Sequence, residues 1–284
     1  MVEKANNAAA LANAPTYDAA GSRRYVAGAP HLKHASLRAL YATLLKRVFA
    51  FAQRHTPVPR VLDLGAGEGT ATLSLLKLGA TVTAIDVSSS QLELLRVKCA
   101  GYEDRLEERC QDVNDALKVT DETYDMIVAT SFLHHIPDYL GVVAAAVRLL
   151  EPWGQLLSFQ DPLRYDRLPW FTATFSKLAY FSWRIFQGDV HGGVKRRLRR
   201  SRGIYVEAPL GDNAEYHVIR NGVDAEAIAA RLRALDCECE VVRYFSTQST
   251  LFQPVGLYLG LENTFGIVAF KKWVVDDLSG QRIE

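Results

Sequence analysis

Between residues 60 and 160, short continuous apolar runs alternate with stretches in which apolar residues recur every three to four positions. The runs at 60–64, 81–85, 106–111, 124–129 and 155–159 read as strands, the third weaker than the others, because turn residues bound them. Residues 70–78 read as a short helix stopped at Gly79. Ser88-Ser-Ser-Gln91 offers a capping box to a second helix, whose Leu92, Leu95 and Cys99 share one face. An Ala/Val/Leu-rich helix is expected over 139–150, and Glu151-Pro-Trp-Gly154 reads as a turn into strand five. Alternating strands and helices imply right-handed crossovers. Strands apolar on both faces imply a parallel sheet covered on both sides.

The flanks complete this frame. Upstream, residues 37–51 predict an amphipathic helix. Downstream, residues 161–221 are aromatic, basic and irregular, with no convincing buried strand. Helical period resumes over 223–235 through Ile228, Leu232 and Leu235. Two strand-like runs, 238–245 and 265–270, then close the pattern around a Gly/Pro-containing loop. The expected fold is α/β, a doubly wound, mostly parallel seven-stranded sheet with an N-terminal helical segment and a mainly helical cap inserted after strand five. The corresponding division is 1–55 for a helical arm, 56–161 for the first part of the core and 162–222 for the cap. Residues 223–275 complete the core and 276–284 form a tail.

Composition narrows the function classes. The 284 residues are 49% hydrophobic and 23% charged, an ordinary globular balance long enough to bury a core without disulfides. Lys and Arg total 33 against 32 Asp and Glu, so no global basic field marks a nucleic-acid binder. Cys99, Cys110, Cys237 and Cys239 show no metal-ligand spacing and are expected as reduced core or subsurface thiols, the last two on one strand face. Residues 1–21 lack the apolar core of a secretory signal, and no stretch offers ~20 apolar residues for a span. A cytoplasmic protein is expected.

The most informative stretch is Val61-Leu-Asp-Leu-Gly-Ala-Gly-Glu-Gly-Thr70. Glycines at 65, 67 and 69 between strand and helix let the backbone turn tightly and a ligand approach closely. The spacing is GxGxG rather than the GxGxxG of dinucleotide sites, and no Gly-Lys-Ser/Thr follows to make a phosphate loop. Asp63, two residues before the first glycine, suits a cationic ligand better than a pyrophosphate. Asp86 ends strand two, where a carboxylate can accept ribose hydroxyl protons. Acids without a phosphate clamp fit an adenosyl ligand bearing an ammonium group.

On Asp63-Leu-Gly65-Ala-Gly67-Glu-Gly69, Asp86, Gln111-Asp112-Val113, Tyr124-Asp125 and Ser131-Phe-Leu-His-His135-Ile-Pro-Asp138, the chain resembles the class I S-adenosylmethionine-dependent methyltransferases of small-molecule type, which are Rossmann-like. The resemblance implies S-adenosyl-L-methionine as cofactor. It places Asp63, Gly65, Ala66, Gly67 and Gly69 at the methionyl end, Asp86 and Val87 at the ribose, and Asp112 and Val113 at the adenine. Thr130 and Ser131 would lie beneath the sulfonium. The chain departs from the family at Pro152-Trp153-Gly154, where Pro-Gly-Gly is common.

Methyl transfer asks a protein to orient a nucleophile, exclude water and take a proton. His135 and His134 follow strand four, and an ordinary imidazole titrates near ~6.5. By resemblance His135 is the expected base and His134 the second choice. Asp161, after strand five, could orient a base or bind an acceptor hydroxyl. Tyr216 and His217, where the chain re-enters the core, are further acceptor candidates. Tyr17 and Tyr25 resemble tyrosines that close over the cofactor in related enzymes.

Residues 170–186 hold seven aromatics in seventeen positions, led by Trp170, and would line an apolar acceptor pocket. Lys195-Arg-Arg-Leu-Arg-Arg-Ser-Arg202 follows, six cations in eight residues beside Gly192-Gly193. Three readings stand for it: a solvated helix face, a contact for an anionic acceptor, or a peripheral contact with an anionic membrane. The expected function is methyl transfer to a small or medium, largely apolar acceptor, with an oxygen nucleophile and His135 as base. The alternatives are carbon or nitrogen methylation of a natural product or a lipid-like or anionic acceptor, and a catalytically silent cofactor-binding partner subunit. A small-molecule partner is expected, nucleic acid is not, and the oligomeric state stays open between monomer and homo-oligomer.

Overall fold

The structure, a computed structural model, describes residues 29–186, 221–272, 275–276 and 282–283. Its seven-stranded sheet has the order β3-β2-β1-β4-β5-β7-β6. The strands are β1 (Arg60–Leu64), β2 (Thr81–Asp86), β3 (Leu106–Cys110), β4 (Tyr124–Thr130), β5 (Leu150–Pro162), β6 (Cys237–Tyr244) and β7 (Thr264–Lys271). Strands β1 to β5 are parallel, while β7 runs antiparallel between β5 and β6. A small antiparallel pair, β8 (Val275–Asp276) with β9 (Arg282–Ile283), lies outside it.

Alternation along the strands separates two cores. Met126 and Val128 of β4 face one side, with α1 (Pro30–Lys33) and α2 (Ala35–Ala52) leading into that layer and α3 (Thr70–Leu78) and α4 (Ser89–Lys98) completing it. Ile127 and Ala129 face the other, under α5 (Val113–Val119), α6 (Tyr139–Arg148) and α8 (Ala225–Arg233). The fully buried Leu62, Leu64, Ile127 and Leu157 show why these runs carry no polar face. The chain order reverses between β1 and β4, so a crevice opens at their carboxyl ends.

The insertion after β5 begins with a 3-10 turn at Tyr165–Arg167 and the helix α7 (Trp170–Phe186). Phe175 of α7 packs edge-on against Phe245 and Phe252. Among the described residues no helix is long and apolar enough to cross a membrane. Tyr17, Tyr25, Tyr216, His217 and the basic run at 195–202 lie outside the described residues.

Three local expectations need correction, and one helix has no counterpart among the predicted elements. Glu151-Pro-Trp-Gly154 does not separate helix from strand; β5 already starts at Leu150, and the segment is a bulge opposite β4 with Trp153 at φ 67°. The loop between β6 and β7 contains a helix, α9 (Phe252–Tyr258), because Gln253 ties its start to Phe245 O and Thr247 N. Residues 113–119 form α5, capped by the Asp112 carboxylate on Asn114 N at 2.7 Å. Cys110 is exposed at the end of β3, unlike the buried Cys99 and Cys237 and the half-buried Cys239; all four thiols are free.

Candidate functional site

The glycine loop owes its shape to two different constraints. Gly65 sits at φ 67°, and a Cβ there would stand 2.3 Å from the Phe132 ring, so this position is closed to any side chain. Gly69, at φ 85°, would press a Cβ to 2.7 Å from Leu95, so it lets α3 and α4 pack closely behind the loop. Gly67 differs: at φ 53° its missing Cβ would meet only Gln91 Oε1, at 4.0 Å. The space it leaves belongs to the cleft.

Three carboxylates border that cleft from successive strand ends. Asp63 of β1 points to the α3 side and accepts a hydrogen bond from Thr72 Oγ1 at 2.6 Å. Burial pushes its carboxyl up to about 6; the Thr72 bond opposes the rise and the neighbouring Asp86 adds to it. Asp86, ending β2, accepts the Gly67 and Ser88 N–H groups, each at 2.9 Å. Burial raises its pKa too, against these backbone bonds. Each Asp86 oxygen keeps acceptor capacity, since a carboxylate offers about four lone-pair sites. Asp112 spends Oδ1 on the Asn114 backbone and side chain, while Oδ2 has no hydrogen bond among the described residues. Ser88 caps α4 by accepting from Gln91 N, as the capping-box pattern anticipates.

The remaining walls come from β4 and the N-terminal helices. Thr130 ends β4 and shares a 3.1 Å hydrogen bond with the Tyr41 hydroxyl of α2. Burial holds Tyr41 well above the ordinary phenol range, so its hydroxyl stays protonated. Ser131 adopts φ 54° and donates its N–H to Phe159 O at 2.7 Å, which turns the chain out of the sheet. The 3-10 turn Leu133–His135 follows, and His135 lines the cleft together with Phe132 and Ile136.

His134 has a different place. Its ring Nδ1 lies 2.8 Å from Asp161 Oδ1, and its N–H donates to the same oxygen at 3.1 Å. Asp161 is fully buried, and desolvation pushes its carboxyl up to about 8 despite the backbone bonds from His134 and Leu133. This pair sits behind the cleft, with the His134 and His135 rings 4.0 Å apart between centroids.

The cleft therefore gathers Asp63, Gly65, Ala66, Gly67, Asp86, Val87, Asp112, Val113, Thr130, Ser131 and His135. It leaves Gly69, His134 and Asp161 behind the wall, and Trp170 79% exposed at the first turn of α7. Sequence reasoning missed His31, Leu32 and Tyr41, which the N-terminal helices fold over the crevice, Glu68 and Thr70 where the loop meets α3, and Gln91 of α4. Glu68 is tied to both Thr70 and Lys98. Pro30 at the start of α1 was the one local signal for that short helix.

Comparison with known proteins agrees with this geometry. A family model described as a methyltransferase domain matches residues 61–154. A ubiquinone biosynthesis O-methyltransferase of Xanthomonas oryzae pv. oryzae is 34% identical over 97 residues, 34% of this chain and 41% of that protein. The match thus spans about two fifths of the relative's length. Magnesium protoporphyrin IX methyltransferase from Synechocystis PCC 6803, with bound S-adenosylhomocysteine, superposes at a TM-score of 0.53 with 11% identity, over 93% of this chain and 100% of that one. The N-methyltransferase NodS from Bradyrhizobium japonicum WM9 gives 0.52 with 15% identity, over 90% and 98%. Residues 61–154 thus match a methyltransferase-domain family model, and the chain shares its fold with solved methyltransferases that hold S-adenosylhomocysteine.

Proposed function

We propose that this chain transfers a methyl group from S-adenosylmethionine to a hydroxyl oxygen of a small or medium, largely apolar acceptor. The observation that carries the reading is the donor–acceptor balance of the cleft. Asp63, Asp86 and Asp112 all present hydrogen-bond acceptors there, beside the open space at Gly67. A ligand with an ammonium, two ribose hydroxyls and an adenine amino group supplies the matching donors. Asp63 would hold the ammonium, Asp86 the ribose and Asp112 the amino group, with Val87 and Val113 against the flat parts of the nucleoside. When bound, the cofactor supplies an electrophilic methyl on a sulfonium.

The chain's own part is then positioning and proton removal. Thr130 and Ser131 shape the floor where the methyl would point. His135, on the same wall, would take the hydroxyl proton as the oxygen attacks. The buried His134–Asp161 pair would fix the turn that carries His135, since the His134 N–H and ring Nδ1 meet one carboxylate oxygen. The N-terminal helices would cover the crevice and keep water from the reacting atoms.

The test is calorimetry with S-adenosylhomocysteine followed by turnover. Wild type is expected to bind, and His135→Asn to keep that affinity within twofold while product formation falls. Binding with no turnover across hydroxyl, amine and carbon acceptors would instead support a silent cofactor-binding subunit.

A further inference from the structure

His31 is an awkward residue to bury. The residue is 6% exposed, and its Nδ1 is sealed from solvent with no hydrogen-bond partner among the described residues. A buried polar atom left unpaired costs stability that leucine or phenylalanine at the same place would not incur. The ring stands edge-on to Phe159 at 6.5 Å, and Phe159 in turn packs on Tyr41 and Tyr244 at 5.0 Å each. Packing alone therefore gives no reason for an imidazole.

The backbone that carries His31 is held from both sides. Lys33 Nζ donates to Gln248 O at 2.8 Å, and His34 Nε2 meets Thr247 O at 2.7 Å. Arg38 donates to Leu32 O and Lys33 O, each at 2.8 Å. The loop after β6 and the start of α2 thus clamp α1 over the cleft, which the His31 ring lines together with His135.

We propose that His31 is an acceptor-binding residue, whose imidazole hydrogen-bonds the hydroxyl group of an aromatic acceptor and sets it against His135. This rests on the methyltransferase reading above. Burial lowers the His31 pKa to about 4, so the ring is neutral in the physiological range. A neutral imidazole can both donate and accept, which suits an uncharged hydroxyl and offers no ion pair to a carboxylate or phosphate. The walls on this side, Tyr41, Phe132 and His135, are planar and suit a planar acceptor.

Phenol and toluene are the probes, since toluene lacks the hydroxyl oxygen to which His31 would donate while the hydroxyl proton faces His135. Their affinities are measured by calorimetry or ligand-observed NMR on wild type, His31→Phe and His31→Gln, with S-adenosylhomocysteine bound. The expected result is that His31→Phe weakens phenol about tenfold, the size of one lost hydrogen bond, and leaves toluene within twofold. His31→Gln keeps a hydrogen-bonding group and is expected to recover part of the preference. His31→Phe is also expected to bind S-adenosylhomocysteine as wild type does and to melt no lower.

Equal losses for phenol and toluene, no loss for either, or no phenol binding by wild type would overturn the assignment. So would a tenfold loss of S-adenosylhomocysteine affinity in His31→Phe with phenol unchanged, which would make His31 a cofactor contact. Failure of wild type to bind S-adenosylhomocysteine would remove the methyltransferase reading instead. The phenol and toluene series on the cofactor-free protein would then still decide the His31 site.

Discussion

Lowering the pH from 7 to 5 should weaken S-adenosylhomocysteine binding about tenfold, through Asp63. Burial raises this carboxyl from 3.8 to about 6. The ligand's ammonium needs the carboxylate form, so binding at low pH must first expel a proton. With a pKa of about 6, the protonated form dilutes the competent one by a factor of ~11 at pH 5 and ~1.1 at pH 7, hence the tenfold ratio. In the free protein the sign is opposite for stability. The raised folded pKa contributes stability that is present below 3.8 and lost as pH rises through about 6. The span corresponds to about 3 kcal/mol. Isothermal titration at pH 5, 6 and 7, in two buffers of different ionisation enthalpy, reads both the affinity and the proton released. Asp63→Asn should bind more weakly at pH 7 with a flatter profile, and the free variant should melt higher than wild type at neutral pH. A wild-type affinity that is flat from pH 5 to 7 would refute the placement of Asp63 against a cation.

Other perturbations separate packing from binding. Gly65→Ala should lower stability by at least the ~1–2 kcal/mol of a left-handed Ala and add the clash with Phe132, read as a fall in Tm. Gly67→Ala carries the same backbone penalty without a protein clash, so its S-adenosylhomocysteine affinity should fall more than its Tm predicts. Equal behaviour of the two variants would contradict the cleft geometry. His135→Asn should cut turnover by about 10²–10⁴, the usual range for a lost general base, and an unaltered rate would remove it from the mechanism. Asp161→Ala should destabilise the fold by about 1–3 kcal/mol, because it removes the buried acceptor of the His134 N–H and ring bonds; an unchanged melting curve would show that the pair carries no such weight.

The sheet was legible in the sequence because parallel central strands must be apolar on both faces, and β1, β2, β4 and β5 are. The glycine loop and Asp63, Asp86 and Asp112 were legible for a related reason, since a strand end followed by a glycine turn leaves few residue types able to serve. What escaped was set by tertiary contacts. His31 and Tyr41 come from helices that precede β1, and contacts distant in sequence, with Thr247, Gln248 and Thr130, hold these helices over the crevice. The helix α9 holds Pro254 and Gly256, ordinary loop signals. Gly256 is required there because a Cβ would stand 2.1 Å from Phe245. The partition of the two histidines was likewise unreadable, since residues 134 and 135 are neighbours in sequence. The turn after β4 sends one to Asp161 and the other to the cleft.

The most direct measurement is S-adenosylhomocysteine binding to the full chain and to Asp86→Ala, by isothermal titration at pH 7. The account predicts one site per chain, with the affinity reduced at least tenfold in the variant because the ribose hydroxyls lose their acceptor and Gly67 its anchor. No binding by wild type, or equal binding by both proteins, would contradict it.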